Sequence, residues 1–298
     1  IAMNNYALML YKGDSTAINK KEAAKYFKLA ADKGQVQSMY NYASMLFIGD
    51  GIPANKKESA KYFKMAADKG HILSMYNYAI MLSNGEGVSV NKKESAKYYK
   101  MAIKKGDPNA MINYGNMLIR GDGVSVNQKE AAKYYKMAMD RGEENAIFNY
   151  GLTLYDGYGV TIDKKEAAKY FKLAADKGQR AAMFNYGVML TKGEGVAKNK
   201  KEGARYIKMA TEDENSPLEA IYNYGLILFN GDGVSMDKKE AEHYYRLSAD
   251  KGYIEAMYSY AIMLYLGDGI PCNKKDAAKY FKLAADKGHL NSMFNYGI

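Results

Sequence analysis

The stretch Ser74-Met75-Tyr76-Asn77-Tyr78-Ala79, continued by Gly85-Glu86-Gly87-Val88, Asn91-Lys92-Lys93-Glu94, Ala96-Lys97-Tyr98-Tyr99 and Gly106, decides the fold, because the rest of the chain restates it. Its central tyrosine, Tyr78, returns as Tyr6, Tyr42, Tyr114, Tyr150, Tyr186, Tyr224, Tyr260 and Tyr296, at an interval of 36 residues that lengthens to 38 between Tyr186 and Tyr224. A fixed period in this range marks a stacked array, in which each unit buries its apolar face against its neighbours. Units starting near residues 1, 37, 73, 109, 145, 181, 219 and 255, with a partial ninth from 291, make residues 1–298 a single array. The chain opens on Ile1 and stops at Ile298 partway through a unit, so the expectation is a piece of a longer protein.

Within a unit, Met39, Tyr42, Ala43 and Leu46 fall at helical spacing on one face and predict a first helix from Ser38 to about Phe47. A Gly-x-Gly loop follows, as at Gly49/Gly51 and Gly85/Gly87, and reverses the chain. The first unit departs from it with Gly13-Asp14-Ser15. The second helix is announced by Asn19, Asn55, Asn91, Asn127, Asp163, Asn199, Asp237 and Asn273, each followed three residues later by Glu or Asp as in a capping box. On this helix Ala60, Phe63 and Ala67 share a face with Tyr62 and Ala66 beside it, and glycines such as Gly34, Gly70 and Gly106 end it. In the sixth unit Thr211-Glu212-Asp213-Glu214-Asn215-Ser216-Pro217 replaces the glycine-ended turn and is read as a longer surface connection or a local change of pitch.

Tyr-(Ala/Gly)-x-x-Leu on the first helix, Gly-x-Gly-Val in the loop and Ala-x-x-Tyr/Phe-x-x-Ala-Ala-x-x-Gly closing the second resemble the Sel-1-like repeat (SLR) family, over essentially the whole chain. The resemblance implies an all-α fold, an α-solenoid coiled as a right-handed superhelix of about eight antiparallel helix pairs, with the first helices on the concave side. It also implies an adaptor that assembles other proteins, with no cofactor and no catalysis. Members with a disulfide in every repeat are set apart by their cysteines, since this chain has one cysteine, Cys272.

Composition bounds the partners. Lys and Arg number 43 against 33 acidic residues, a formal charge of +10 with a pI near 9.2, which suits an acidic partner or simply keeps a long array in solution. The single cysteine and the lack of an Asn-x-Ser/Thr acceptor favour an intracellular, cytoplasmic setting. No run of about 18 apolar residues predicts a membrane span.

Candidate binding residues are those on the first helix that point away from its buried face. One row is Asn41, Asn77, Asn113, Asn149, Asn185 and Asn223, interrupted by Ser259, whose amides suit either the backbone of an extended peptide or bonds that hold the stack. Beside it the residue type changes from unit to unit: Ser44, Ile80, Asn116, Leu152, Val188 and Leu226, then Ile48, Asn84, Arg120, Asp156, Lys192, Asn230 and Leu266. Specificity for a protein or peptide is expected there. On the second helix Lys57, Lys61 and Lys64, repeated as Lys93, Lys97 and Lys100, form a basic stripe that is either a solvated outer face or a surface for RNA or an acidic tail. The three histidines, His71, His243 and His289, are read as scattered through their units, and no metal set or catalytic triad is proposed.

Overall fold

The computed structural model describes residues 2–14 and 17–296. Ser15 of the altered first loop and Ile298 lie outside the described residues, as does the side chain of Tyr296. The described residues form 17 helices and no strand. First helices of the repeats are α1 (Ala2–Lys12), α3 (Val36–Ile48), α5 (Ile72–Asn84), α7 (Pro108–Arg120), α9 (Glu144–Asp156), α11 (Arg180–Lys192), α13 (Leu218–Asn230) and α15 (Ile254–Leu266), with α17 (Leu290–Tyr296) beginning a ninth. Second helices are α2 (Lys20–Asp32), α4 (Lys56–Asp68), α6 (Lys92–Lys104), α8 (Gln128–Met139), α10 (Lys164–Asp176), α12 (Lys200–Met209), α14 (Lys238–Asp250) and α16 (Lys274–Asp286). The backbone groups into two compact units, residues 1–146 with 158–160, and residues 147–157 with 161–298.

In both units the same residues build the repeat. Met39, Tyr42, Ala43 and Leu46 of α3 are buried, as are Ala60, Tyr62, Phe63, Ala66 and Ala67 of α4. Tyr42 meets Tyr62 edge to face at 4.9 Å, and the second unit repeats this with Tyr186 and Tyr206 at 4.9 Å. Such contacts place the positive ring edge on the negative ring face, so tyrosine serves as the principal core aromatic. A core of this kind is satisfied on one side by the helix partner and on the other by the next repeat.

The N-caps hold the second helices as expected on one side and differently on the other. Asn19, Asn55, Asn91, Asn127, Asp163, Asn199, Asp237 and Asn273 each accept the N–H of the residue three positions on, at 2.8 to 3.1 Å. The reciprocal half of a capping box is not what satisfies the cap. The N–H of the cap residue donates instead to a leucine carbonyl of the preceding first helix, as from Asn55 to Leu46 and from Asn199 to Leu190, both 2.8 Å. That bond closes the loop and leaves the acid to other partners: Glu22 pairs with Lys25 at 2.8 Å and Glu166 with Lys169 at 2.6 Å, whereas Glu130 and Asp276 accept from the side-chain amides of Asn127 and Asn273, at 3.0 and 2.6 Å.

Successive repeats meet at a joint built on the second loop glycine. Gly87 has φ 71°, and a Cβ on it would lie 2.2 Å from the carbonyl oxygen of Lys56 at the start of the preceding second helix. A side chain there is excluded by conformation and by contact. The residue between the glycines is an acid that clips to the first lysine of that helix: Lys20–Asp50 at 2.7 Å, Lys56–Glu86 at 2.7 Å and Lys92–Asp122 at 2.5 Å in the first unit. Lys164–Glu194 at 2.7 Å, Lys200–Asp232 at 2.6 Å and Lys238–Asp268 at 2.5 Å follow in the second. The lysine hydrogen bond, assisted by Tyr11 at Asp50 and by Tyr155 at Glu194, holds these two carboxyls below their ordinary pKa.

The insertion of the sixth repeat is tied down. It leaves α12 ten residues long, against thirteen for most of its counterparts. Arg180 pairs with Asp213 at 2.9 Å from one side, and Lys251 donates to the Glu214 carbonyl at 2.9 Å from the other. The stretch is therefore a fastened part of the second unit rather than a loose connection.

Candidate functional site

In the second unit the first helices α11 and α13 enclose a cleft of about 610 Å³. Asn185, Val188 and Lys192 line it from α11, and Asn223, Leu226 and Asn230 line it from α13. These belong to the asparagine row and the two variable rows, which the fold brings together on one surface. Asn185 and Asn223 donate to the carbonyls of Ala181 and Glu219 one turn earlier in their own helices, at 2.7 and 2.8 Å, and so do not bridge repeats. Their amide oxygens are left to accept. Sequence reasoning missed Thr191, Pro217 and Glu219 in the same lining. Pro217 belongs to the insertion and, at the N-cap of α13, makes no side-chain cap bond, so the extra residues shape one wall of the cleft.

The corresponding surface of the first unit carries smaller, more apolar clefts. One of about 140 Å³ includes Asn41, Ser44 and Ile48, and one of about 270 Å³ includes Asn77, Ile48 and Ile80. Ile48, which lines both, is 69% exposed. The amide of Asn41 accepts from Gln37 at 3.2 Å, whereas Asn113 donates to the Tyr76 hydroxyl of the preceding repeat at 3.2 Å. The row thus serves the stack at Asn113 and leaves the groove free at Asn185 and Asn223. Asn84 and Arg120 turn to the loop acids, bonding Glu86 at 3.1 Å and Asp122 at 3.0 Å. On α9, Asn149 is half-buried and Asp156 exposed.

The basic stripe lies on the outside. Lys57, Lys61, Lys64, Lys93, Lys97 and Lys100 are all exposed, but much of their charge is spoken for. Lys64 pairs with Asp68 at 2.6 Å and Lys97 with Glu94 at 3.6 Å. Lys61 and Lys100 lie over the rings of Tyr62 and Tyr114, at 5.6 and 5.1 Å. The tyrosines interleaved with them, Tyr62, Tyr98 and Tyr99, are buried and offer no face for a base to stack on.

Two of the histidines are in register rather than scattered. His71 and His289 stand at the N-caps of α5 and α17, each with Nδ1 against the serine three residues on, Ser74 Oγ at 2.9 Å and Ser292 Oγ at 2.8 Å. Gln35 and Asp107 cap α3 and α7 at the same position. The shared signal was the serine or alanine that follows at N3. Burial holds the His71 imidazole below its ordinary pKa. Among the described residues no group of three or more His, Cys, Asp or Glu could hold a metal ion, and no helix is long and apolar enough to cross a membrane.

Paired helices of fixed period, joined by glycine loops and stacked through their second-helix N-termini, define an α-solenoid of the tetratricopeptide kind. The chain belongs to the Sel1 repeat family, which matches at residues 1–35, 36–71, 72–107, 108–143, 145–179, 180–215, 218–253 and 254–289. Repeats of this family serve generally as protein-interaction scaffolds. No curated protein sequence matches the chain. Among solved structures, a protective antigen present in uropathogenic Escherichia coli strains, displaying an SLR fold, is similar over 99% of this chain at 24% identity with a TM-score of 0.82. This chain spans 63% of that antigen's chain. A Sel1 repeat protein from Oxalobacter formigenes is similar over 98% of this chain and 85% of its own, at 22% identity and a TM-score of 0.78. Yeast Tom70 is similar over 93% of this chain and 57% of its own, at 15% identity and a TM-score of 0.51.

Proposed function

We propose that the chain is a protein-interaction scaffold that takes an extended segment of a partner protein along the exposed face of its first helices, with the α11–α13 cleft as the principal anchor. The observation that carries this reading is the convergence of the unit-to-unit variable positions Val188, Lys192, Leu226 and Asn230 with Asn185 and Asn223 in one cleft. Positions released from packing are those where partner choice is written, and amide oxygens beside apolar side chains match the alternating polar and apolar demands of an extended peptide. On this reading the chain binds and makes no bond itself, inside the cell, with Cys272 remaining a thiol.

A photocrosslinking residue placed at Val188 or Leu226, and separately at Lys133 on the outer helix α8, tests the reading in native extract. Discrete, nuclease-resistant protein adducts are expected from positions 188 and 226 and not from 133. They should vanish when Asn223→Ala is combined with Lys192→Glu. Adducts of equal yield from all three positions, or survival of the adducts in the double variant, would overturn it.

A further inference from the structure

The second helices carry a basic residue followed, four positions on, by aspartate: Lys28/Asp32, Lys64/Asp68, Lys136/Asp140, Lys172/Asp176, Arg246/Asp250 and Lys282/Asp286. That aspartate also receives a tyrosine hydroxyl from the next repeat, from Tyr62 to Asp32 at 2.5 Å, from Tyr98 to Asp68 at 2.7 Å and from Tyr280 to Asp250 at 2.6 Å. In the third repeat the position is Lys104. Lys100 therefore has no aspartate at that place and keeps the contact with the next repeat's tyrosine ring, Tyr114 at 5.1 Å, as Lys28 does with Tyr42 at 5.8 Å. Tyr134, the counterpart of the buried Tyr98, is partly exposed.

Where the aspartate is missing, the surface opens. A cleft of about 500 Å³ is walled by Lys93, Lys97, Lys100 and Lys104, with Met101 and Val124, and no carboxylate lines it. Among the described residues, neither Lys93 nor Lys104 has an ion pair. The sixth repeat, whose turn also displaces the aspartate, has a cleft at the equivalent place, walled by Lys201, Arg205 and Lys208. There Glu202 stands in the wall and is held by two bonds from Arg205, at 2.6 and 3.0 Å, so the chain supplies its own acid. In the third-repeat cleft the corresponding pair is looser, Lys97 with Glu94 at 3.6 Å, and Lys93 and Lys104 are left without an internal acid.

We infer that the Lys93–Lys104 cleft is a carboxylate-binding site for an acidic segment of a partner protein, whose side chains take the place that aspartate holds in the neighbouring repeats. The four lysines follow one another along one side of α6 and span about 16 Å at the helical rise. An extended acidic segment of about five residues covers that length. Lysine presents each carboxylate with a point charge, and the apolar flanks of Met101 and Val124 limit screening by water. Single-stranded nucleic acid would need exposed aromatic faces beside the lysines, and Tyr98 and Tyr99 are 2% and 3% exposed.

Labelled octaglutamate, titrated into the full chain at about 50 mM salt with fluorescence anisotropy as readout, tests the site. Lys104→Asp rebuilds the neighbours' arrangement and should weaken binding about tenfold or more while the protein melts no earlier than the parent. Lys239→Asp makes the same charge change in the seventh repeat and should weaken binding less than about twofold, as a screened charge that does not line the cleft does. Equal losses in the two variants would assign the affinity to net charge and overturn the site, as would absence of octaglutamate binding. Oligouridylate of equal length binding more tightly than octaglutamate, with the same loss in Lys104→Asp, would also overturn the assignment to an acidic protein segment.

Discussion

In the second repeat Asp68 draws together Lys64 of its own helix and Tyr98 of the next, whereas in the third Lys104 stands in that place and Lys100 lies over an aromatic ring. Around this difference the clip, the N-cap and the loop glycine recur in the two joints. The clip is Lys56–Glu86 at 2.7 Å in one and Lys92–Asp122 at 2.5 Å in the other. The N-caps Asn55 and Asn91 bond alike, and Gly87 and Gly123 press on the same backbone. The joint is thus held by backbone proximity, caps and the clip. The aspartate triad adds to it without being required, which leaves its position open to another use.

The largest effect should come from breaking what the two joints share. Gly87→Ala and Gly123→Ala each force a Cβ into backbone at positive φ and should cost about 3 kcal/mol, read as a lowered urea midpoint. A loss below about 1 kcal/mol in either would show that the joint slides. Converting the second repeat into the third comes next. Asp68→Lys leaves the buried Tyr98 hydroxyl without its acceptor and should cost about 1–2 kcal/mol, discounted because the ion pair itself is half in water. It should also create a second octaglutamate site, seen as a doubled stoichiometry.

The reverse conversion is smaller. Lys104→Asp should raise stability by about 0.5–1 kcal/mol, since it restores one exposed pair and one tyrosine bond. Unchanged stability would mean that Tyr134 is already satisfied by Glu130, whose field raises its pKa after burial does. The smallest contrast lies in the helices that follow: His71 caps α5 and Asp107 caps α7. Burial lowers the His71 pKa, so on acidification the unfolded chain takes up this proton first. Stability from His71 is then full above about pH 6.5, the unfolded value, and is lost as the pH falls from there through the lower folded value. His71→Asn should remove a few tenths of a kcal/mol of the difference in unfolding free energy, read from urea titrations, between about pH 7.5 and about pH 5.5. Equal pH dependence in the two proteins would contradict that role.

The period, the helix pairs and the caps were legible because they rest on residue types that answer a backbone need, as glycine does for positive φ and Asn or Asp for orphan N–H groups. The destination of the cap's own N–H was not, since a backbone donor leaves no trace in residue type. The Lys56–Glu86 clip was hidden for another reason: charged residues are common, and a pairing 30 positions apart stands out only once the repeats are stacked. The candidate cleft was half legible. The varying positions Val188 and Leu226 marked its walls, but Pro217 entered through an insertion that obeys no period, and Glu219 lies in the first turn of the helix after it. Lys104 was visible as a lysine in an aspartate column, and its meaning required knowing what that aspartate does.

Each clip joins a lysine of one repeat to an acid of the next, so its two halves are interchangeable parts. Excision or duplication of whole repeats within the stretch from Lys20 to Asp122 would set another lysine against another acid and preserve the bond. The columns change together at one place, where Gln128 stands for the lysine and Tyr158 for the acid. A recombination that separated those two would confront a lysine with an aromatic ring or an acid with an amide. Whole repeats can therefore be exchanged on either side of that point with the ion pair kept, whereas an exchange across it replaces the ion pair with a weaker contact.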